Sequence, residues 1–189
     1  MSVLLIKPRR FGDHRGWFSE TWNREKLAPH GIDNDWCQDN QSMSSAVGTI
    51  RGLHFQAPPF AQAKLVRCPR GRLLDVAVDV RKESPTFGQW VAAELSADNG
   101  HQLYVPAGYA HGFITLEPDT EIAYKVDAPY SAISDGGIAW DDPALGIDWG
   151  LGGEPIVSDK DKTLPRLAEL ETVFPYDGKP LAPLVEIIP

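Results

Sequence analysis

Apolar and polar residues alternate with the two-residue period of a β-strand between residues 73 and 81. One face is apolar and carries Leu74, Val76, Val78 and Val80. The other face is mostly polar and carries Leu73, Asp75, Ala77, Asp79 and Arg81. Short segments rich in β-branched and apolar residues, bounded by turn residues, predict further strands at 49–56, 63–68, 71–81, 87–96, 102–105, 111–115 and 120–126.

Turn residues are spread along the whole chain. Seventeen Gly and sixteen Pro are scattered through the sequence and do not gather into a linker, which is typical of an all-β barrel or sandwich. Helical signals are few: one short helix is predicted near 23–27 and another near 162–170, interrupted by Pro165. No repeat or composition boundary divides the 189 residues, so residues 1–189 are predicted to form a single domain.

The charge balance excludes several classes of partner. Eighteen basic and twenty-six acidic residues give a formal charge of −8, which disfavours general binding to nucleic acid or to an anionic membrane. No run of eighteen apolar residues is present, and the apolar residues 1–6 lack the preceding basic residues of a signal peptide. With only Cys37 and Cys68, a secreted disulfide scaffold is not expected, and a cytoplasmic location is predicted.

Candidate chemistry concentrates in residues 38–42 and 48–56, where a cation, an imidazole and several amides occur together. His54 is the leading candidate for a general base, because an imidazole titrates near neutral pH. A packed, hydrogen-bonded strand histidine is the alternative. Arg51 lies an odd number of positions away, so a regular strand would place it on the opposite face, and a bulge at Gly52 would be needed to bring both into one site.

A metal site of the cupin type is not expected. Such a site needs several His and carboxylate ligands, whereas Gln56 stands two residues after His54 and the other histidines are distant in sequence. Gly-rich phosphate-binding loops are also missing, which disfavours ATP and NAD chemistry. No cofactor is therefore expected.

Carboxylates near the end of the chain have two interpretations. Asp159 or Asp161 could orient His54 by a hydrogen bond to one ring nitrogen. From spacing alone, capping of the following helix is favoured, because Asp is a preferred N-cap residue.

Lys64 with the nearby Asp75, and three aromatic side chains, have more than one interpretation. Lys64 could hold an oxyanion with Asp75 positioning its ammonium, although a solvated surface pair is favoured. Tyr124 could donate a proton and Tyr130 could stack on a ring, but core packing explains either equally well. His111 could lie at a barrel mouth or be a buried structural residue.

Together these segments resemble the dTDP-4-dehydrorhamnose 3,5-epimerases, which are cupin-fold enzymes of nucleotide-sugar metabolism. The resemblance covers nearly the whole chain. It is carried by Asp-His-Arg-Gly-Trp-Phe (13–18), Gln-Asp-Asn (38–40), Ile-Arg-Gly-Leu-His-Phe-Gln (50–56), Ser-Pro-Thr-Phe-Gly (84–88), Ala-His-Gly-Phe (110–113), Trp-Asp-Asp-Pro (140–143) and Ser-Asp-Lys-Asp (158–161). Gln41 departs from the family, which often has histidine there, and leaves the detail of substrate contacts open.

The resemblance implies a metal-free cupin-type jelly-roll barrel with short peripheral helices, present as a homodimer. It implies His54 as general base, Asp161 as its orienting partner and Tyr124 as proton donor. The residues that it implies for substrate binding are Arg15, Phe18, Glu20, Gln38, Asn40, Arg51, Lys64, Asp75, His111, Tyr130, Asp135 and Lys160. Within this set Tyr130 is expected to stack on thymine, and Arg15, Phe18 and Glu20 to come from the neighbouring subunit.

Epimerisation next to a ketone needs residues of these types. A C4 ketone acidifies the hydrogens on C3 and C5, so a base can remove them if a cation stabilises the enolate. The expected reaction converts dTDP-4-dehydro-6-deoxy-D-glucose to dTDP-4-dehydro-L-rhamnose. The alternatives are an enzyme that inverts only C3 or only C5 of a related nucleotide 4-ketosugar, and a non-catalytic nucleotide-sugar binding module.

Overall fold

Short strands dominate the structure. The computed structural model describes residues 2–189, with fourteen strands and two short α-helices in that range. The strands are β1 (Leu4–Ile6), β2 (Arg10–Asp13), β3 (Gly16–Ser19), β4 (Gln38–Ser44), β5 (Thr49–Gln56), β6 (Lys64–Arg70), β7 (Arg72–Asp79), β8 (Trp90–Ser96), β9 (Gln102–Val105), β10 (Tyr109–Thr115), β11 (Thr120–Val126), β12 (Asp135–Gly137), β13 (Ile156–Val157) and β14 (Val185–Ile187). The helices are α1 (Arg24–Leu27) and α2 (Asp159–Lys162), and 3₁₀ turns occur at Ala28–His30 and Leu167–Glu169.

Two six-stranded sheets form the body of the fold. The first has the order β14-β1-β9-β6-β11-β4, and the second has the order β12-β5-β10-β7-β8 with β13 beside β5. Strands β2 and β3 form a separate hairpin. Most neighbouring strands are antiparallel and distant in sequence, as in a jelly roll. The predicted all-β, cupin-type jelly-roll fold with short peripheral helices is confirmed.

The main core lies between the two sheets. Val66 on β6 and Leu103 on β9 meet Leu73 and Ala77 on β7 in one buried cluster. The outer face of the second sheet is also covered, because Val76 and its neighbours pack against residues of the chain segment 138–174. Strand β7 is therefore buried on both faces, which differs from the single apolar face that its alternation predicts.

The polar face of β7 points into the molecule. Asp75 and Asp79 are both fully buried. Asp79 accepts two side-chain hydrogen bonds from Arg81, at 2.8 and 2.7 Å, and Arg81 also pairs with Asp177 near the C-terminus. This ion-pair network compensates a buried charge that would otherwise be costly, and it ties the C-terminal segment to the end of β7.

Three strands have the bounds that the sequence predicts, namely β5, β9 and β11. The helix predicted near 162–170 is wrong. Helix α2 ends at Lys162, and residues 167–169 form a separate 3₁₀ turn, because Pro165 lacks an N–H group and disfavours helical backbone at the preceding residue.

Cys37 and Cys68 are free. In residues 2–189, no helix is long and apolar enough to cross a membrane.

Candidate active site

A cavity of about 500 Å³ opens between the two sheets. Strands β4, β6 and β11 of the first sheet supply one wall, and β5 and β10 of the second sheet supply the other. The chain around β13 and α2 closes one side. The residues that line the cavity are Ser42, Thr49, Ile50, Arg51, His54, Lys64, His111, Phe113, Ile122, Tyr124, Ile156, Val157, Ser158, Lys160 and Asp161.

His54 and Asp161 form a hydrogen-bonded pair in this cavity. The His54 Nε2 atom lies 2.6 Å from Asp161 Oδ1, and the Gly52 N–H donates to Asp161 Oδ2 at 3.0 Å. Burial works to raise the pKa of Asp161, but the hydrogen bonds from His54 and Gly52 outweigh it and hold the pKa below its ordinary value. The carboxylate therefore stays ionised at neutral pH, and the other ring nitrogen of His54, Nδ1, remains free to take a proton.

The position of Asp161 depends on the start of α2. Ser158 is the N-cap, and its hydroxyl accepts a hydrogen bond from the Asp161 N–H at 3.2 Å. The favoured interpretation of Asp159 or Asp161 as the capping residue is therefore wrong, because a serine does the capping. Asp159 is fully exposed, whereas the Asp161 side chain is 4% exposed and points at His54.

Arg51 and His54 reach the same cavity through an irregularity in β5. The register between β5 and β10 shifts between the pairs His111–His54 and Phe113–Arg51. Gly52 lies between them with a φ of +116°, and a Cβ atom there would come within 2.7 Å of the Gly112 Cα atom. The predicted irregularity at Gly52 is present, and it requires glycine.

Lys64, Asp75 and His111 form a buried charged group beside His54. His111 Nε2 lies 2.7 Å from Asp75 Oδ1, and the Lys64 ammonium donates to the His54 carbonyl at 3.4 Å. Lys64 is 9% exposed and Asp75 is fully buried, so the favoured interpretation as a solvated surface pair is wrong. Since residues alternate along β7 and both of its faces are covered, its polar positions lie inside the barrel.

Burial lowers the pKa values of two members of this group, Lys64 and His111. It lowers the pKa of Lys64 to about 8, against the opposing charges of Asp75 and Asp135. It also lowers the pKa of His111, against the attraction of Asp75. The Asp75 Oδ2 atom is buried and has no hydrogen-bond partner. Lys64 is therefore charged at neutral pH but close to the pH at which it loses its proton.

Tyr124 stands on the wall opposite His54. It lies on β11 of the first sheet, whereas His54 lies on β5 of the second sheet. Burial raises the pKa of Tyr124, with Arg51 acting in the opposite direction. The phenol is therefore protonated at neutral pH and can donate a proton from the side of the cavity that faces the imidazole.

A polar cluster lies next to the cavity, close to Tyr130. The Tyr130 hydroxyl lies 3.3 Å from an Asp135 carboxylate oxygen, and Lys160 pairs with the same oxygen. The Tyr130 N–H donates to Gln38 Oε1, and the Gln38 amide donates to Asn40 at 2.7 Å. The structure thus brings these five predicted substrate-binding residues together, although only Lys160 lines the cavity itself.

Three predicted residues belong neither to the cavity lining nor to the polar groups beside it. Arg15 pairs with Asp13 on the β2–β3 hairpin, Glu20 pairs with Lys26, and Phe18 is 68% exposed. None of them lines the cavity formed by this chain.

The departure from the family motif at Gln41 also lies away from the cavity. Side chains alternate along β4, so that Ser42 lines the cavity while Gln41 is exposed and donates to Glu121 at 2.7 Å. Gln41 therefore does not line the cavity formed by this chain.

Several lining residues were not predicted from the sequence. Ser42 belongs to β4, which carries no apolar alternation because its half-buried face is polar, with Gln38, Asn40 and Ser42, and its other face meets solvent. Phe113 and Ile122 sit on predicted strands, and only the pairing of those strands shows that they face the cavity. Within residues 2–189, no group of three or more His, Cys, Asp and Glu side chains is placed to hold a metal ion.

The fold and this cavity together define a jelly-roll enzyme that works by acid–base chemistry. Among known proteins, the sequence model of the dTDP-4-dehydrorhamnose 3,5-epimerases matches residues 1–169. The chain belongs to the dTDP-4-dehydrorhamnose 3,5-epimerase family.

Individual relatives agree with this assignment. A dTDP-4-dehydrorhamnose 3,5-epimerase of Sinorhizobium fredii is 58% identical over 92% of this chain and 89% of the relative. A crystal structure of the Bacillus anthracis epimerase with TDP and pyrophosphate bound has a TM-score of 0.84 and 52% identity, covering 87% of this chain and 93% of that one. A Legionella pneumophila epimerase in complex with dTDP-4-keto-L-rhamnose has a TM-score of 0.86 and 40% identity, covering 89% of both chains.

Proposed function

We propose that this protein converts dTDP-4-dehydro-6-deoxy-D-glucose to dTDP-4-dehydro-L-rhamnose by epimerisation at C3 and C5. The observation that carries the proposal is the His54–Asp161 pair placed across the cavity from Tyr124, with Lys64 beside it. The relatives named as 3,5-epimerases, and the neighbour that binds dTDP-4-keto-L-rhamnose, support the choice of substrate. No cofactor is needed, because the ketone already activates the adjacent C–H bonds.

The first half-reaction is proton removal. His54 Nδ1 takes the proton from C3 or C5, and Asp161 stabilises the imidazolium that forms. The electron pair of the C–H bond moves to the ketone oxygen, giving an enolate. We assign Lys64 to this oxygen, with Arg51 as an additional donor, because preorganised donors at a developing negative charge supply the largest stabilisation.

The second half-reaction returns a proton to the opposite face of the carbon. Tyr124 donates it from the first sheet, so the carbon leaves with inverted configuration. A position between the two sheets limits the contact of the enolate with bulk water. We assign the nucleotide to the outer polar cluster, where Tyr130 stacks on the base and Gln38, Asn40, Asp135 and Lys160 contact the rest of the ligand.

Proton NMR in deuterium oxide tests the proposed reaction. Purified protein is mixed with dTDP-4-keto-6-deoxyglucose, and exchange at C3 and C5 is followed separately. We expect exchange at both carbons together with inversion. Exchange at one carbon alone would establish a single-centre epimerase instead, and bound nucleotide without any exchange would establish a binding module.

We further propose that the protein is a homodimer whose β2–β3 hairpin completes the partner's site. Support comes from the exposed aromatic side chains Trp17 and Phe18 on this hairpin, and from the failure of Arg15 to reach the cavity of its own chain. We also propose that residues 1–189 fold as one domain and act in the cytoplasm, consistent with two free cysteines.

Mixed dimers are expected to recover activity from two inactive variants. Arg15→Ala removes the partner's contribution, and His54→Asn removes the base. If the hairpin acts across the interface, a dimer of one chain of each variant has one intact site, and random mixing gives about a quarter of wild-type activity. Mixtures without any gain over the separate variants would contradict the exchange of hairpins.

The pH dependence of kcat/KM is expected to reflect Lys64, because this ratio reports the pKa values of the enzyme without substrate. Burial lowers the pKa of Lys64 to about 8, so the ammonium is lost as the pH rises through that value and kcat/KM falls with it. Tyr124 does not explain such a fall, because burial raises its pKa above the ordinary 10. The measurement is kcat/KM between pH 6 and 10, and a flat profile through pH 9.5 would contradict the assignment. Lys64→Met is expected to lower kcat by about 10²–10³-fold at neutral pH.

A further inference from the structure

Gln56 ends the strand that carries His54 and is 4% exposed. Its side-chain nitrogen donates to the Phe60 carbonyl at 2.7 Å and to the Pro129 carbonyl at 3.1 Å. Its side-chain oxygen accepts a hydrogen bond from the Ser131 N–H at 2.7 Å. Both donors of the amide are therefore used, and all three partners are backbone groups of two neighbouring loops.

Two of these partners are the peptide groups on either side of Tyr130. The Pro129 carbonyl belongs to the peptide group before Tyr130, and the Ser131 N–H belongs to the one after it. Gln56 thus pairs with the backbone of this residue as a neighbouring strand would. The Tyr130 side chain itself is 62% exposed, so few packing contacts hold its ring in place.

We propose that Gln56 is a positioning residue for the nucleotide base: it fixes the backbone on both sides of Tyr130, and so presents the ring for stacking without touching the ligand. The inference rests on the proposed function, in which Tyr130 binds thymine. An amide is required here, because a glutamate lacks the N–H donors that two carbonyls need, and a buried carbonyl left without a donor is costly.

The same hydrogen bonds link nucleotide binding to the reaction centre. Gln56 is two residues beyond His54 on β5, and its backbone neighbour Ala57 donates to the Ser134 carbonyl at 2.7 Å. The backbone position of Tyr130 relative to the catalytic imidazole therefore depends on β5 and on the Gln56 side chain, while Gln38 and Asp135 make further hydrogen bonds to the Tyr130 N–H and hydroxyl. A nucleotide base stacked on Tyr130 therefore holds the attached sugar at a fixed distance from His54.

The chain offers a matched control in Gln62. Its side-chain nitrogen donates to the Ala128 carbonyl at 2.7 Å, so it anchors the same loop but not the peptide groups that flank Tyr130. A general loop-anchoring role would make Gln56 and Gln62 equivalent. A positioning role for Tyr130 makes only Gln56 matter for nucleotide affinity.

Calorimetric titration with dTDP separates the two roles. For Gln56→Ala, we expect the Kd for dTDP to rise by about tenfold, because the ring adopts its binding orientation in only about a tenth of the molecules. The KM should rise with it, while kcat at saturating substrate stays within about twofold. Gln62→Ala should change neither constant by more than about twofold. If Gln56→Ala does not fold, Gln56→Glu keeps the side-chain size, loses both donations and should raise the Kd in the same way.

A double-mutant cycle shows whether Gln56 acts through Tyr130. In a Tyr130→Ala background, Gln56→Ala should cause no further loss of dTDP affinity. An equal loss in both backgrounds, or an unchanged Kd in the single variant, would overturn the positioning role while leaving the proposed reaction intact. A wild-type protein that does not bind dTDP at all would overturn the proposed function and this inference together.

Discussion

Replacement of His54 by asparagine is expected to lower kcat by about 10³–10⁴-fold and to abolish exchange of the C3 and C5 hydrogens with solvent deuterium. His54 is paired with Asp161, whose carboxylate is held ionised and stabilises the imidazolium formed when the ring takes a proton. The second histidine of the cavity, His111, is also paired with a buried carboxylate, that of Asp75, but burial lowers the pKa of His111 and so disfavours its imidazolium. Exchange measured by proton NMR, together with the Kd for dTDP, checks the prediction, and the Kd should stay within about twofold.

The role of Asp161 is tested by comparing its replacement with that of Asp159 in the same helix, which serves as the control. Asp161→Asn preserves the shape of the side chain but presents an amide donor to His54 Nε2, so the remaining ring proton moves to Nδ1 and blocks the base. We expect kcat to fall by about 10²–10³-fold. Asp159→Asn in the same helix changes an exposed side chain and should leave kcat unaltered. Persistent exchange in His54→Asn, or equal losses at both aspartates, would remove the pair from the mechanism.

Four strands around the reaction centre, β5, β6, β10 and β11, could be predicted from the sequence because each has a buried face. Strand β5 has the predicted bounds, and the predicted need for a bulge at Gly52 follows from the odd spacing of Arg51 and His54 alone. These are local properties, readable from the period of the chain and from the conformational freedom of glycine.

The polar interior of the barrel could not be predicted in the same way. Lys64 and Asp75 resemble a solvated pair in sequence, since charged residues are rarely buried without a partner, and only the pairing of distant strands puts them against His111. Strand β4 could not be predicted for a related reason. Its inner face carries polar side chains and its outer face meets solvent, so no apolar period marks this strand.

The role of Asp161 depends on three residues of local structure that spacing does not determine. Aspartate is a good N-cap, which favoured the capping interpretation, but Ser158 precedes it and takes that position. With the cap supplied by serine, the Asp161 carboxylate is free to point into the cavity and to accept hydrogen bonds from both Gly52 and His54. The N-cap is Ser158, three residues before Asp161, and its position leaves the Asp161 carboxylate available to the site instead of to the helix end.

Replacement of Tyr124 by phenylalanine is expected to separate proton removal from inversion. The ring still fills its place against the inter-sheet core, but the cavity loses the phenol hydroxyl of the wall opposite His54. We expect the rate of inversion to fall by about 10²–10³-fold, while exchange at C3 and C5 stays within a few-fold of wild type, because His54 still removes the proton and returns solvent deuterium to the same face.

The NMR experiment distinguishes these two quantities in one sample, since deuterium incorporation and the coupling pattern of the inverted sugar are read separately. Tyr176→Phe is the matched control, because this tyrosine lies beside Arg81 and away from the cavity. Equal losses of exchange and inversion in Tyr124→Phe would mean that the phenol assists enolate formation instead of delivering the second proton. The donor would then have to be sought among the other side chains of the first-sheet wall that carry an exchangeable proton, which are Lys64 and Ser42.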